Sequence, residues 1–206
     1  MLKIWGRKNS ANVQKVMWGI GELGLPHERI DIAGAFGRNR EPAYLGLNPN
    51  GLVPTLEDGD LVLWESNTIL RYLCATYGGA RLHPADAFAR SEVERWMDWQ
   101  LASLNPAMTT MLIGYFRTPE DKRDAAALES ARKEAIRCWT IVERFIAGRR
   151  YLCGGDLTLA DIGNGILVHR WHNYPIERPE LPNIKAWYQT LSLRPGFREH
   201  ILGPIA

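Results

Sequence analysis

The sequence predicts an α+β protein in two parts: a small mixed sheet with its helices over residues 1–78, then an all-helical bundle over 87–206. Three observations predict it. Strand-like and helix-like segments alternate up to Tyr77. Within that region Asp58-Gly59 stands between two apolar runs, a strong hairpin signal. Beyond a short linker at 79–86, carrying Gly79, Pro84 and Asp86, every patterned stretch has the helical period.

Taken in order, Leu2 to Trp5 reads as a first strand and Gly6-Arg7-Lys8-Asn9 as a polar loop. Val13, Val16, Met17, Ile20 and Leu23 then mark one face of a helix, with Ser10 and Asn12 at its start and Gly24 and Pro26 ending it. Glu28 to Ile32 alternates as a strand, residues 33–41 form an irregular loop, and Pro42 to Leu47 is a short helix before Asn48-Pro49. Thr55 to Glu57 and Leu61 to Leu63 flank the hairpin. A helix opens at Glu65, with Ile69, Leu70, Leu73 and Tyr77 on one face, and Gly78-Gly79 closes it. Two strands joined by a helix, then a hairpin and a helix, make a sheet covered on both faces. In the second part Ala87 to Tyr115 reads as one long helix that Pro106 can kink. Pro119 to Ala147 reads as another, with Gly148 just past its end. Thr158-Leu-Ala-Asp161 resembles a capping box for a helix through Trp171, and Pro182 to Leu193 and a segment after Pro195 complete the chain.

Composition narrows the class. The 206 residues suffice to bury a real core. Apolar content of 46% and charged content of 23% fit a soluble globular protein. With 25 basic and 23 acidic residues, a net charge of +2 calls for neither nucleic acid nor an acidic membrane as partner. No apolar run has the roughly 18 residues of a membrane span, and charge enters before any signal-peptide core forms. The expected location is the cytoplasm. Cys74, Cys138 and Cys153 are far apart and form no Cys-x-x-Cys pair, which fits reduced thiols rather than a disulfide framework or zinc knuckle.

Three short features carry chemistry. Val53-Pro54 is either a turn before a strand or a cis-proline at the start of an edge strand. In the second case the unpaired backbone groups of Val53 accept an extended peptide. Glu65-Ser66-Asn67 is either an ordinary helix cap or a reader of an amino-acid head group, with the helix N-terminus and Ser66 on the carboxylate and Glu65 on the ammonium. Ser10 is either a cap or a donor to a thiolate. Lowering a thiol pKa by about 2 units needs about 2.7 kcal/mol. A charge-assisted hydrogen bond gives about 1.5–3 kcal/mol and a helix end about 0.3–1, so one hydroxyl at a helix start is of the right size. Asn12 offers a second donor on the same turn.

Taken together, Ser10-x-Asn12 after the first strand, Asn48-Pro49-Asn50-Gly51-Leu52-Val53-Pro54, Glu65-Ser66 and Thr158-Leu-Ala-Asp161-Ile resemble the glutathione transferase superfamily over the whole chain, in a bacterial-type, serine-dependent form close to the tau, theta and phi classes. The resemblance implies a thioredoxin-like N-terminal domain and a C-terminal all-α domain. Glutathione is then the co-substrate and no metal takes part. Ser10 donates to its sulfur, Val53 pairs with its cysteinyl unit beside a cis-Pro54, and Glu65 and Ser66 hold its γ-glutamyl end. Thr158 and Asp161 are a folding cap. Many relatives have lysine where Leu52 stands, so the glycyl carboxylate falls to another group, and Asn39-Arg40 suggests Arg40. The absence of a cysteine between the first strand and helix argues against thiol-transfer classes. A small apolar electrophile is expected between the domains, with Trp99, Met108, Met111 and Tyr115 as an adaptable wall or as plain core. His169-x-x-His172 lacks a third metal ligand. The expectation is a homodimeric transferase active in detoxification. The alternatives are glutathione-dependent peroxidase chemistry on the same site and a non-enzymatic binding scaffold of this fold.

Overall fold

The computed structural model describes residues 1–205. Four strands, β1 (Leu2–Trp5), β2 (His27–Ile30), β3 (Thr55–Asp58) and β4 (Leu61–Trp64), form one sheet in the order β2-β1-β3-β4. β1 and β2 run parallel, from Leu2 opposite His27 to Trp5 opposite Ile30. Parallel neighbours need a crossover, which α1 (Ala11–Leu23) supplies. β3 lies antiparallel between β1 and β4, with Ile4 opposite Leu56 and Leu56 opposite Leu63. The edge-strand expectation for Val53-Pro54 is therefore corrected. β3 is interior, and Val53 is free because it lies just before the ladder begins at Thr55.

α1 is buried on two faces. Val13, Val16, Met17 and Ile20 pack with Leu2, Ile4 and Leu56 of the sheet. Trp18 turns the other way into the helical core, where Phe197 meets its ring edge-on at 5.0 Å. Gly24, at φ 65°, ends α1 in the left-handed region that glycine adopts without strain. α3 (Ser66–Thr76) is divided in the same way, with Ile69 and Leu73 toward the sheet and Leu70 toward the helices. Tyr77 departs from the expected face. It is exposed, and its hydroxyl donates to Asp58. A short α2 (Pro42–Leu45) precedes the loop at 46–54.

The helical half holds α4 (Ala87–Trp99), α5 (Asn105–Phe116), α6 (Ala125–Ile146), α7 (Leu159–Asn173), α8 (Pro182–Ser192) and α9 (Pro195–His200). The single helix expected from Ala87 to Tyr115 is interrupted by a π turn over Gln100–Leu104. Pro106 has no N–H to give, and a wider turn just before it reroutes the ladder, with Asn105 N–H reaching Gln100 C=O. The helix expected from Pro119 begins later. Pro119 opens only a 3-10 turn over Glu120–Lys122, and Asp124 caps α6 by accepting from Ala127 N–H. α7 is apolar or buried all round, as the central helix of a bundle must be. Its capping box is complete. The Asp161 carboxylate accepts from the backbone N–H groups of Leu152 and Thr158, the Thr158 hydroxyl and the Trp187 indole.

Candidate active site

The loop after β1 places Ser10 at the N-cap of α1, half-buried, with φ −78° and ψ 125°. Its N–H donates to Arg7 C=O at 3.2 Å. Its hydroxyl makes no capping bond, so its oxygen is not held to the N–H groups of the first turn of α1 and the O–H can turn to donate elsewhere. Asn12, two residues on, is exposed, and its Oδ1 accepts from Ser66 Oγ at 3.4 Å. That contact joins the start of α1 to the start of α3.

The loop before β3 is held from below. Tyr44 Oη donates to Leu52 C=O at 2.6 Å and lies 2.8 Å from Thr55 Oγ1. Asn48 Nδ2 donates to the same carbonyl at 2.9 Å. Burial pushes the Tyr44 hydroxyl above its ordinary pKa, which keeps it protonated as a donor. Above this clamp the Val53–Pro54 bond is cis. Val53 packs against the β1–α1 loop, since a Cβ on Gly6 would stand 3.2 Å from Val53 Cβ. Among the described residues neither backbone group of Val53 has a hydrogen-bond partner. Leu52 is 61% exposed. Arg40 lies across the same loop and donates to Asn50 C=O at 3.2 Å, while Asn39 Nδ2 donates to Gly51 C=O at 2.8 Å.

At the other end Glu65 is the N-cap of α3 with φ 71° and ψ 110°. A non-glycine residue there costs about 1–3 kcal/mol and clusters at functional sites. The side chain is exposed, while Ser66 and Asn67 behind it are buried. Sequence reasoning missed what lies beneath. Lys15 of α1 is 1% exposed, and its Nζ donates to Asn67 Oδ1 at 3.0 Å and Gln100 Oε1 at 3.5 Å. Asn67 Nδ2 in turn donates to Met97 C=O at 3.1 Å. Burial pushes the Lys15 ammonium down to about 7. The Glu65 carboxylate opposes that shift and Arg71 adds to it. One polar cluster thus ties α1, α3, α4 and the π turn together under the mouth that Glu65 guards.

The expected electrophile wall is placed unevenly. Met108 and Met111 are fully buried in the helical core and have no surface to offer a ligand. Trp99 is half-buried and meets Trp96 edge-on at 5.2 Å, and Trp96 in turn packs on Phe145 at 4.8 Å. Tyr115 is half-buried with the Arg123 guanidinium 5.8 Å from its ring. His169 bonds the Tyr188 hydroxyl and Gly203 C=O, and His172 stacks on Tyr188 at 4.7 Å, so both histidines belong to packing. Arg7 and Arg170 were also missed. Arg7 sits in the loop that carries Ser10, and Arg170, on the last turn of α7, is 6% exposed.

A hydroxyl without a capping bond at a helix start, a backbone segment without partners beside a cis-proline and an exposed carboxylate at a second helix start thus lie on the connections of one small domain. Known proteins give this arrangement its name. Residues 9–76 match the glutathione S-transferase N-terminal domain family and residues 125–190 the C-terminal domain family. The chain is 38% identical to glutathione S-transferase GstB of Escherichia coli over 100% of both chains. It is 31% identical to glutathione S-transferase 3 of Zea mays over 97% of this chain and 93% of that one. Among solved structures, the theta class glutathione S-transferase of Xanthomonas axonopodis pv. citri with glutathione bound superposes with a TM-score of 0.95, at 42% identity, over 100% of this chain and 99% of that one. The chain belongs to the glutathione S-transferase superfamily.

Proposed function

We propose that the protein conjugates glutathione to small electrophiles, with the Ser10 hydroxyl donating to the thiolate. The single observation that carries this reading is the free Ser10 hydroxyl at the N-cap of α1. A hydroxyl and a helix N-terminus together favour the thiolate by a few kcal/mol. Residues 1–78 form the glutathione-binding domain, 79–86 the linker, and 87–206 the helical domain that completes the second-substrate site. Val53 pairs its backbone with the cysteinyl unit, next to Pro54 and Leu52. Glu65 takes the ammonium of the γ-glutamyl group, Ser66 and the α3 N-terminus take its carboxylate, and Arg40 takes the glycyl carboxylate. Asn12 holds Ser66 in place and stands by as a second donor. The thiolate attacks the electrophilic carbon, the leaving group departs with its electron pair, and the thiol proton goes to solvent. Tyr115 and Trp99 contribute the remaining apolar surface of the expected wall.

The test is turnover of a chromogenic aryl halide by wild type and Ser10→Ala. The expected loss in kcat/KM for glutathione is about 10- to 100-fold. Full retention of rate assigns Ser10 to backbone shape alone and shifts activation to Asn12. Turnover of an organic hydroperoxide by the same samples separates transferase from peroxidase activity. Absence of glutathione binding in calorimetry at millimolar ligand would favour a scaffold.

The homodimer is part of the proposal. β4 is a sheet edge with Leu61, Val62 and Trp64 exposed, and Phe88 at the start of α4 is 79% exposed. Leu61, Leu63 and Tyr72 line an open groove of about 490 Å³ beside them. Light scattering on wild type and Phe88→Ser tests it, with a shift toward monomer expected. Three free cysteines support a reducing compartment, the cytoplasm, and detoxification there is the role we propose for the transferase.

A further inference from the structure

The clamp under the loop before β3 has a direction that its atoms fix. Asn48 Oδ1 accepts from the backbone N–H and from Nδ2 of Asn50, each at 3.1 Å. Asn48 Nδ2 therefore faces the other way, donating to Leu52 C=O at 2.9 Å and to Thr55 Oγ1 at 3.2 Å. Tyr44 Oη has a single proton and gives it to Leu52 C=O at 2.6 Å. The Thr55 hydroxyl, 2.8 Å away, is then the donor to the Tyr44 oxygen. The donors run one way, from Asn48 through Thr55 to Tyr44 and on to Leu52 C=O, which takes two of them. All three side chains are buried.

Leu52 C=O and Val53 N–H belong to one peptide unit. Among the described residues the cis bond is Val53–Pro54 alone, so the Leu52–Val53 unit is trans and its C=O and N–H point opposite ways. A carbonyl held inward by two donors holds the N–H outward. Among the described residues that N–H has no partner. The same donors polarise the unit, since each hydrogen bond in a chain strengthens the next by roughly 10–30%. Direction counts for more than this increment, because a flipped peptide would present a carbonyl where the ligand needs a donor.

We propose that Tyr44, with Asn48 and Thr55 behind it, is a positioning residue for glutathione: by fixing Leu52 C=O it aims Val53 N–H at the cysteinyl carbonyl of the ligand. This rests on the glutathione reading above. The cysteinyl unit carries the sulfur, so the same clamp sets where the thiol lies relative to Ser10. The three side chains act through the backbone and take no part in the bond changes.

Tyr44→Phe removes the hydroxyl and keeps the ring, which lies 6.1 Å from that of Trp5. Calorimetry with S-methylglutathione reads binding without catalysis. The variant is expected to bind it about three- to tenfold more weakly. KM for glutathione should rise alike, while kcat at saturating glutathione stays within about twofold. A role in packing alone would lower the folded fraction, and with it kcat, and leave the dissociation constant unmoved. In protein carrying isotope-labelled valine, the Val53 amide resonance of the ligand-free protein should move in Tyr44→Phe.

Thr55→Val keeps the shape of the side chain and takes away only the donor to Tyr44, so it carries the test if Tyr44→Phe misfolds. It is expected to weaken binding about two- to threefold and to move the same resonance. Affinity equal to wild type in Tyr44→Phe, or in Thr55→Val where the first variant misfolds, overturns the proposal and leaves the glutathione reading standing. An unmoved Val53 resonance, or a fall in kcat with affinity intact, overturns it too. If wild type fails to bind S-methylglutathione at millimolar ligand, the glutathione reading falls with it.

Discussion

Two buried polar clusters hold this molecule together, and they are built on opposite terms. In the first, the Asp161 carboxylate receives donors from Leu152, Thr158 and Trp187, so almost every lone pair is used. In the second, among the described residues, the Lys15 ammonium meets only the neutral side-chain oxygens of Asn67 and Gln100, with Glu65 acting from farther away. Burial pushes both groups toward neutrality, Asp161 up to about 6 and Lys15 down to about 7. The hydrogen bonds of Asp161 pull against that shift. The difference teaches what partners do for a buried charge. A carboxylate saturated with donors stays ionised near neutral pH, and an ammonium given two neutral acceptors is left to the burial that opposes its charge.

The largest test of that comparison is Asp161→Ala. It strands two backbone N–H groups and the Trp187 indole in a buried place, and the expected loss of stability is roughly 3–5 kcal/mol by urea unfolding. Per folded molecule, KM for glutathione should stay within twofold. A loss below about 1 kcal/mol would erase the contrast between the clusters.

Lys15→Met comes next, through pH. The folded pKa of Lys15 is lowered, so between about 7 and its ordinary value of 10.5 the unfolded chain binds the extra proton. Stability from this group therefore rises with pH across that window and is least below it. Wild type is expected to gain roughly 2–4 kcal/mol over Lys15→Met between pH 7 and pH 10, read as the pH dependence of the difference in urea midpoint. Parallel curves would show that Lys15 is charged throughout and paired more strongly than its contacts indicate.

The smallest effect is expected from Arg40→Ala. Its side chain is exposed and, among the described residues, bonds only Asn50 C=O, so its loss should raise KM for glutathione by about three- to tenfold with little change in stability. An unchanged KM would move the glycyl carboxylate to another cation.

Much of the sheet and of the glutathione-facing loops was legible in the chain because their signals are local. Asp58-Gly59 marks the hairpin, Gly24 the end of α1, and Thr158 with Asp161 the capping box, each within a few residues. The supporting groups were not legible, because burial between halves is a long-range property. Lys15 reads as a solvent-facing helix residue until α3 and the π turn close over it. Only one face of α1 shows a clean apolar stripe, so Trp18 on the other face gave no warning that the helix is sandwiched. Arg170 follows His169 directly, and metal-ligand spacing hid its burial on the last turn of α7. The π turn follows from Pro106, but the ring that forces it does not say which turn will yield.

Glu65 keeps a backbone shape that glycine adopts at no steric expense. The residue is therefore a point of conflict between two kinds of selection. In a randomised library sorted only for survival on heating, position 65 should drift to glycine or asparagine, and those clones should outlast the parent. Sorting the same library on glutathione turnover should return the acidic residue. Sequencing both pools at this one codon would show how much thermal tolerance the protein forgoes to keep a carboxylate at the mouth of α3.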